Sequence, residues 1–138
     1  MAGAVLVATS LEQLRRDTAA RLTAAGVPAY GHVPERLTPP AAIVLPDQPY
    51  VSGDEADELT MCGTFRVRLR VALLGARGTN ELAADQLDEL VVNAVTELDA
   101  GGFARITVAE PAELELNGAT YLGTVISLET LTTLETTP

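Results

Sequence analysis

TFRVRLRVALL, residues 64–74, is the stretch on which the fold turns. Phe65, Val67, Leu69, Val71 and Leu73 fall at every second position, and Arg66, Arg68 and Arg70 fill the gaps. A period of two is the pattern of a strand with one face on a core. Its other face presents three guanidinium groups about 6–7 Å apart. In a chain of formal net charge −10, such a ladder calls for carboxylates opposite it. They could come from a neighbouring strand, from the acidic loop just before it, or from another copy of the chain. A solvated face of long side chains covering a sheet is the competing reading.

At 138 residues the chain reads as one domain, 1–138, large enough to bury a core without disulfides or metal. A hydrophobic content of 47% with only 4% aromatic residues means a core of Leu, Val, Ile and Ala, and without Trp there is no large platform for stacking bases. The acidic excess opposes a nucleic-acid-binding surface, which needs clustered cations. Cys62 is the sole cysteine, so no internal disulfide forms, and its alternation with Thr64 reads as a packed or edge thiol. The opening MAGAVLVATSLEQ has no basic region ahead of its apolar run and is not read as a signal peptide. No apolar run approaches the length needed to cross a bilayer.

The first element opens at Ser10, where Ser10 and Gln13 fit a capping box: the hydroxyl accepts from the amide three residues on and the Gln side chain reaches back. Leu11, Leu14, Thr18, Leu22 and Ala25 then make a helical stripe with a basic outer side, and Gly26 followed by Val27-Pro28 ends it after about four turns. Prolines at 28, 34, 39, 40, 46 and 49 forbid a helix interior, and Ala41–Leu45 between them reads as a short strand. The segment SGDEADE, 52–58, carries Asp54, Glu55, Asp57 and Glu58 as a solvated or partner-facing loop; it lacks the alternating ligands and central Gly of a calcium loop.

After the central strand, GARGTN (75–80) has neither the Gly-Lys-Ser/Thr ending of a phosphate loop nor dinucleotide-type glycine spacing, and reads as a connection in which Thr79 or Asn80 caps the next helix. Leu82, Leu87, Leu90, Val91, Ala94, Val95 and Leu98 form that helix's wide apolar face, Asp85, Asp88, Glu89 and Glu97 decorate the rest, and Ala100-Gly101-Gly102 closes it. Phe103–Ala109 reads as a strand broken at Pro111. Asn117-Gly118 is a strong hairpin signal, and as a two-residue turn it would pair Leu116 with Ala119 and Leu114 with Tyr121 and put Glu113 and Glu115 on the opposite face. From Thr130 apolar density falls, and 129–138 is expected to fray or serve as a flexible C-terminal arm. The sum is an α+β domain: a mixed, largely antiparallel β-sheet packed against two α-helices, with a C-terminal β-hairpin.

Signs of reactive chemistry are few. There is no Gly-x-Ser-x-Gly, His-Glu-x-x-His or Cys-x-x-Cys, His32 is the single histidine and lies in a loop, and no carboxylate pair stands in an apolar setting that would tune it for acid catalysis. The expectation is a protein with no catalytic, cofactor-binding or metal site. Its candidate residues are those of a subunit interface: Arg66, Arg68 and Arg70, with Asp54, Glu55, Asp57 and Glu58.

The capped first helix, the proline-bounded LTPPAAIVLPDQPYV (37–51), the strand FRVRLRVALLG (65–75), the segment GARGTNELAADQLDELV (75–91) and the closing hairpin together resemble tail-terminator and head-to-tail connector proteins of long-tailed, siphovirus-type bacteriophages of actinobacterial hosts. The resemblance spans nearly the whole chain and rests on element order and on local phrases such as PPAAIVLP. It implies a virion protein, assembled in the host cytoplasm, that forms a homo-oligomeric ring, a hexamer in such families, on the finished tail tube. The ring would stop tube polymerisation and join the tail tube protein below to the connector or stopper protein of the neck above. DNA would pass through the lumen without specific binding, and no membrane is involved. A head-stopper or other neck protein, a minor or major tail-tube protein, and a small-molecule-binding protein or enzyme are the alternatives.

Overall fold

The computed structural model describes residues 8–53, 64–77, 81–116 and 118–134. Asp54, Glu55, Asp57, Glu58, Cys62, Thr79, Asn80 and Asn117 lie outside the described residues.

Helix α1, Leu11–Ala24, starts where its sequence pattern places it, with Ser10 Oγ accepting from the Gln13 amide at 3.1 Å. The reciprocal half of the capping box is replaced: Gln13 Nε2 donates to Asp17 Oδ1 at 2.7 Å, one turn further on. Leu14, Thr18, Ala19 and Leu22 are buried, and the Thr18 hydroxyl is satisfied by donating to the Leu14 carbonyl at 2.8 Å. At the other end Gly26 adopts φ +90°. Its amide then reaches Thr23 O at 3.1 Å and the Val27 amide reaches Leu22 O at 2.9 Å, the paired bonds of a Schellman ending, sealed by the buried Leu22 and Val27 side chains.

The sheet consists of β1 (Ala8–Thr9), β2 (Ala29–Tyr30), β3 (Ala41–Gly53), β4 (Thr64–Arg77), β5 (Arg105–Leu116) and β6 (Ala119–Leu134). Its order is β1-β6-β4-β3-β2, with β5 also paired to β6. Among the described residues, only β1 with β6 and β2 with β3 run parallel. β6 is the hub, because β4 follows one side of it while β5 and then β1 share the other. Helix α2, Glu81–Asp99, connects β4 to β5 by crossing over β6, since both of those strands run antiparallel to it. The two helices cover one face. Leu14 and Leu22 of α1 and Leu87, Ala94 and Leu98 of α2 pack on Val67, Leu69, Val71, Leu73, Ile126 and Leu128 in one core. The fold is therefore the α+β class expected, and no helix among the described residues is long and apolar enough to cross a membrane.

Several boundaries differ from the sequence expectation, each for a physical reason. β3 continues through Pro46 and Pro49 to Gly53, because β2 accompanies it only at Ala42 and Ile43 and the lower half is an edge that needs no further donor. Its register with β4 breaks between Pro46 and Val51. β5 starts at Arg105 and runs unbroken through Pro111, again on an edge, with a bulge between Ile106 and Val108 where Thr107 Oγ1 donates to Ser127 O at 3.0 Å. The flexible arm expected from residue 129 is corrected over its described part. Glu129–Leu134 continues β6, held by β4 on one side and β1 on the other, and its threonines suit a strand. Leu82 does not join the apolar face of α2 but stands 65% exposed. The hairpin register is as expected, with Leu116 opposite Ala119, Leu114 opposite Tyr121, and Gly118 at φ +78°.

Candidate functional site

Alternation along β4 sends Val67, Leu69, Val71 and Leu73 under the helices and Arg66, Arg68 and Arg70 to the face that, among the described residues, no helix covers. There β4 pairs Arg68 with Glu129 of β6, and β5 pairs Arg105 with the same Glu129, so one row across three strands reads Arg-Glu-Arg. Glu129 Oε2 lies 3.6 Å from Arg68 Nε and 4.0 Å from Arg66 Nε, and Oε1 lies 3.6 Å from Arg105 Nη1. Arg68 Nη1 also donates to Ser52 Oγ of β3 at 3.2 Å. Three guanidiniums thus share one carboxylate that is only 14% exposed, while Arg105 is 79% exposed. Arg70 stands two residues further along, exposed, between Leu45 and Ser127.

Of the three sources of carboxylate left open by the sequence, a neighbouring strand supplies Glu129. Sequence reasoning misses both Glu129 and Arg105, because Glu129 falls in the stretch that reads as a fraying tail. The alternation Val125, Ser127, Glu129, Leu131 in β6 is the signal that places it on the arginine face. Chemically, exposed guanidinium groups such as those of Arg70 and Arg105 are suited to grip carboxylates in forked hydrogen bonds. Around its Arg66 and Arg105 end the surface dips into a recess of about 480 Å³ that also borders Asp99 and Gly102.

The opposite side of the molecule has the opposite sign. α2 carries Glu81, Asp85, Asp88, Glu89, Glu97 and Asp99 and no Lys or Arg. Its C-terminal end, where Asp99 opposes the helix dipole, is held by Arg21 of α1, whose Nη1 donates to Ala100 O at 3.4 Å and whose guanidinium lies 4.1 Å from the centroid of the Phe103 ring. Between α2 and the hairpin lies a cleft of about 400 Å³ with an apolar floor of Leu87 and Leu122 and with Asp88 and Glu113 at its rim. Beside α1, Arg15 Nε and Tyr50 Oη are buried with no hydrogen-bond partner, and burial pushes the Tyr50 phenol up from its ordinary value against the pull of the Arg15 charge. His32 is exposed in its loop, and no group of three or more His, Cys, Asp or Glu among the described residues could hold a metal ion.

No protein-family model and no curated protein matches this chain. What bears on its function is therefore the chemistry of its own surfaces.

Proposed function

We propose that this chain is a structural virion protein that forms a ring, a hexamer, on the end of a long-tailed phage tail tube, ends tube growth and joins the tail to the neck. DNA passes through the ring without being bound. The observation that carries the reading is the open sheet face with its arginine cluster, set on the far side of the molecule from an all-acidic helix. A subunit whose two sides differ in this way suits the heterologous contacts of a closed ring, in which each copy meets its two neighbours through different surfaces. The net charge of −10 suits a lumen that lets phosphate slide past. Negative-stain imaging of tails assembled with and without the protein tests the assignment. Overlong tails in its absence support the terminator reading. Tails of normal length that never join heads replace it with a neck role, and complete virions without the protein overturn both.

A further inference from the structure

We propose that the arginine face of the sheet receives the acidic outer side of α2 from a second copy of this chain, so that copies stack front to back. The inference rests on the ring-forming reading and deepens it by naming the two surfaces that meet.

The Asp85–Glu89 stripe does not meet the arginines within one subunit, because α2 packs on the face of the sheet from which the arginines point away; Asp99, at the helix's C-terminal end, borders the recess beside Arg66 and Arg105 and is not part of the stripe. The two surfaces are complementary in charge. On one side Arg66, Arg68 and Arg105 share Glu129 and Arg70 stands exposed; on the other a 19-residue helix carries carboxylates and no cation. The spacings also match. Leu82, Asp85, Glu89 and Val92 follow one another at three, four and three residues, which lines them up along the exposed side of the helix. Asp85 and Glu89 are separated by about 6 Å along the helix axis. Successive arginines on β4 are about 6–7 Å apart, so two carboxylates of the stripe can face two adjacent guanidiniums. The stripe is capped at both ends by apolar side chains that water now covers, Leu82 at 65% and Val92 at 63% exposed. The arginine face offers half-buried Leu45 and Leu131 to receive them. Charged pairs flanked by apolar contacts combine complementary potential, which sets register, with apolar area removed from water, and specific protein interfaces use both.

The test uses two charge-reversed forms of the full chain, Arg70→Glu with Arg105→Glu on the sheet, and Asp85→Arg with Glu89→Arg on the helix. Oligomeric state is followed by sedimentation and native mass spectrometry over a range of protein concentration and salt, with and without tail tubes. Circular dichroism confirms that each form is folded. The wild type is expected to self-associate, more weakly as salt shortens the reach of the charges. Each variant alone, with like charges on both sides, is expected to lose affinity by about tenfold or more. An equimolar mixture is expected to recover assemblies in which the two forms alternate, because each then presents the sign that the other needs. Wild-type rings that both variants also form, or a mixture that does not recover, overturn these surfaces and leave the ring reading standing. These surfaces are likewise overturned if neutralising Asp54, Glu55, Asp57 and Glu58 dissolves the ring while the α2 reversal does not. A wild-type chain that stays monomeric even on tail tubes overturns both the surfaces and the ring.

Discussion

Replacing Glu129 with Gln keeps the shape of the side chain and removes the one negative charge that three guanidiniums share. At separations of 3.6–4.0 Å each pair is worth about 1 kcal/mol in water-like surroundings and about 4 kcal/mol at an effective dielectric near 20. Glu129 is mostly buried, but Arg66 and Arg68 are about a third exposed and Arg105 is largely in water, so the weaker end applies. Summing three screened pairs, and adding the repulsion among cations left without their shared partner, gives an expected loss of about 1–3 kcal/mol in unfolding free energy. For a domain of this size that is a fall in Tm of roughly 3–12 °C. Urea denaturation of wild type, Glu129→Gln and a control, Glu113→Gln at an exposed hairpin position, measures it, with an unchanged m-value showing that the two states remain comparable. Arg105→Gln is expected to cost less than about 1 kcal/mol because of its exposure. A Glu129→Gln form within about 0.3 kcal/mol of wild type would refute the idea that this carboxylate organises the arginine face.

Three further outcomes follow from single contacts. Tyr50→Phe removes a buried hydroxyl with no partner and is expected to leave stability unchanged or raise it by up to about 1 kcal/mol at neutral pH, read from thermal melts. Because the folded-state phenol titrates above its unfolded value of 10.0, it adds no pH dependence below about pH 10, and wild-type stability falls as pH rises from there toward the folded pKa, since the folded state disfavours the phenolate. The wild-type melting temperature should therefore fall more steeply than that of Tyr50→Phe in that alkaline window. Gly123→Ala places a Cβ 2.8 Å from the Leu73 carbonyl and against Leu114 Cδ1. The side chain can turn away but the neighbouring strand cannot, so a loss of roughly 1–3 kcal/mol is expected in denaturant titration. Gly26→Ala meets no neighbour within 4 Å yet must hold φ +90°, so its cost, about 1 kcal/mol, should come from the backbone alone and be recovered in part by Asn.

The parts of this fold that can be read from the sequence are those encoded by neighbours along the chain. Alternation identifies β4 and its two faces, the Ser10 cap and Gly26 bound α1, and the Asn-Gly hairpin signal in the sequence predicts the pairing register that β5 and β6 show down to the Leu114–Tyr121 pair. What cannot be read depends on which strands lie side by side. Pro46, Pro49 and Pro111 break a strand only if their missing donors are needed, and whether they sit on an edge is a property of the whole sheet. Thr130–Leu134 looks too polar to be ordered because its partners, Thr64–Val67 and the two-residue β1, are remote in sequence. Arg66 and Arg68 are recognisable as a site in want of a carboxylate, but Glu129 becomes their partner only when the last strand inserts beside the central one. The candidate Arg70 stays outside that cluster, and Asp54, Glu55, Asp57 and Glu58 lie outside the described residues.

The position of β6 has a consequence for biosynthesis. The strand that joins β4, β5 and β1 is the last of the described strands to leave the ribosome, and its final residues bond to Ala8 and Thr9. Until it emerges, β4 and β5 have no common neighbour, helix α2 has no complete floor, and the contacts still to be made are among the longest-range in the chain. The nascent polypeptide must therefore wait with β5 unpaired and one side of β4 open, exposed to aggregation and to chaperones, and completion of the sheet should be a late event after translation. A tag fused close to Ala8 or close to Leu134 would sit beside that same closing seam, so the choice between the two should matter less to folding than the length of the spacer.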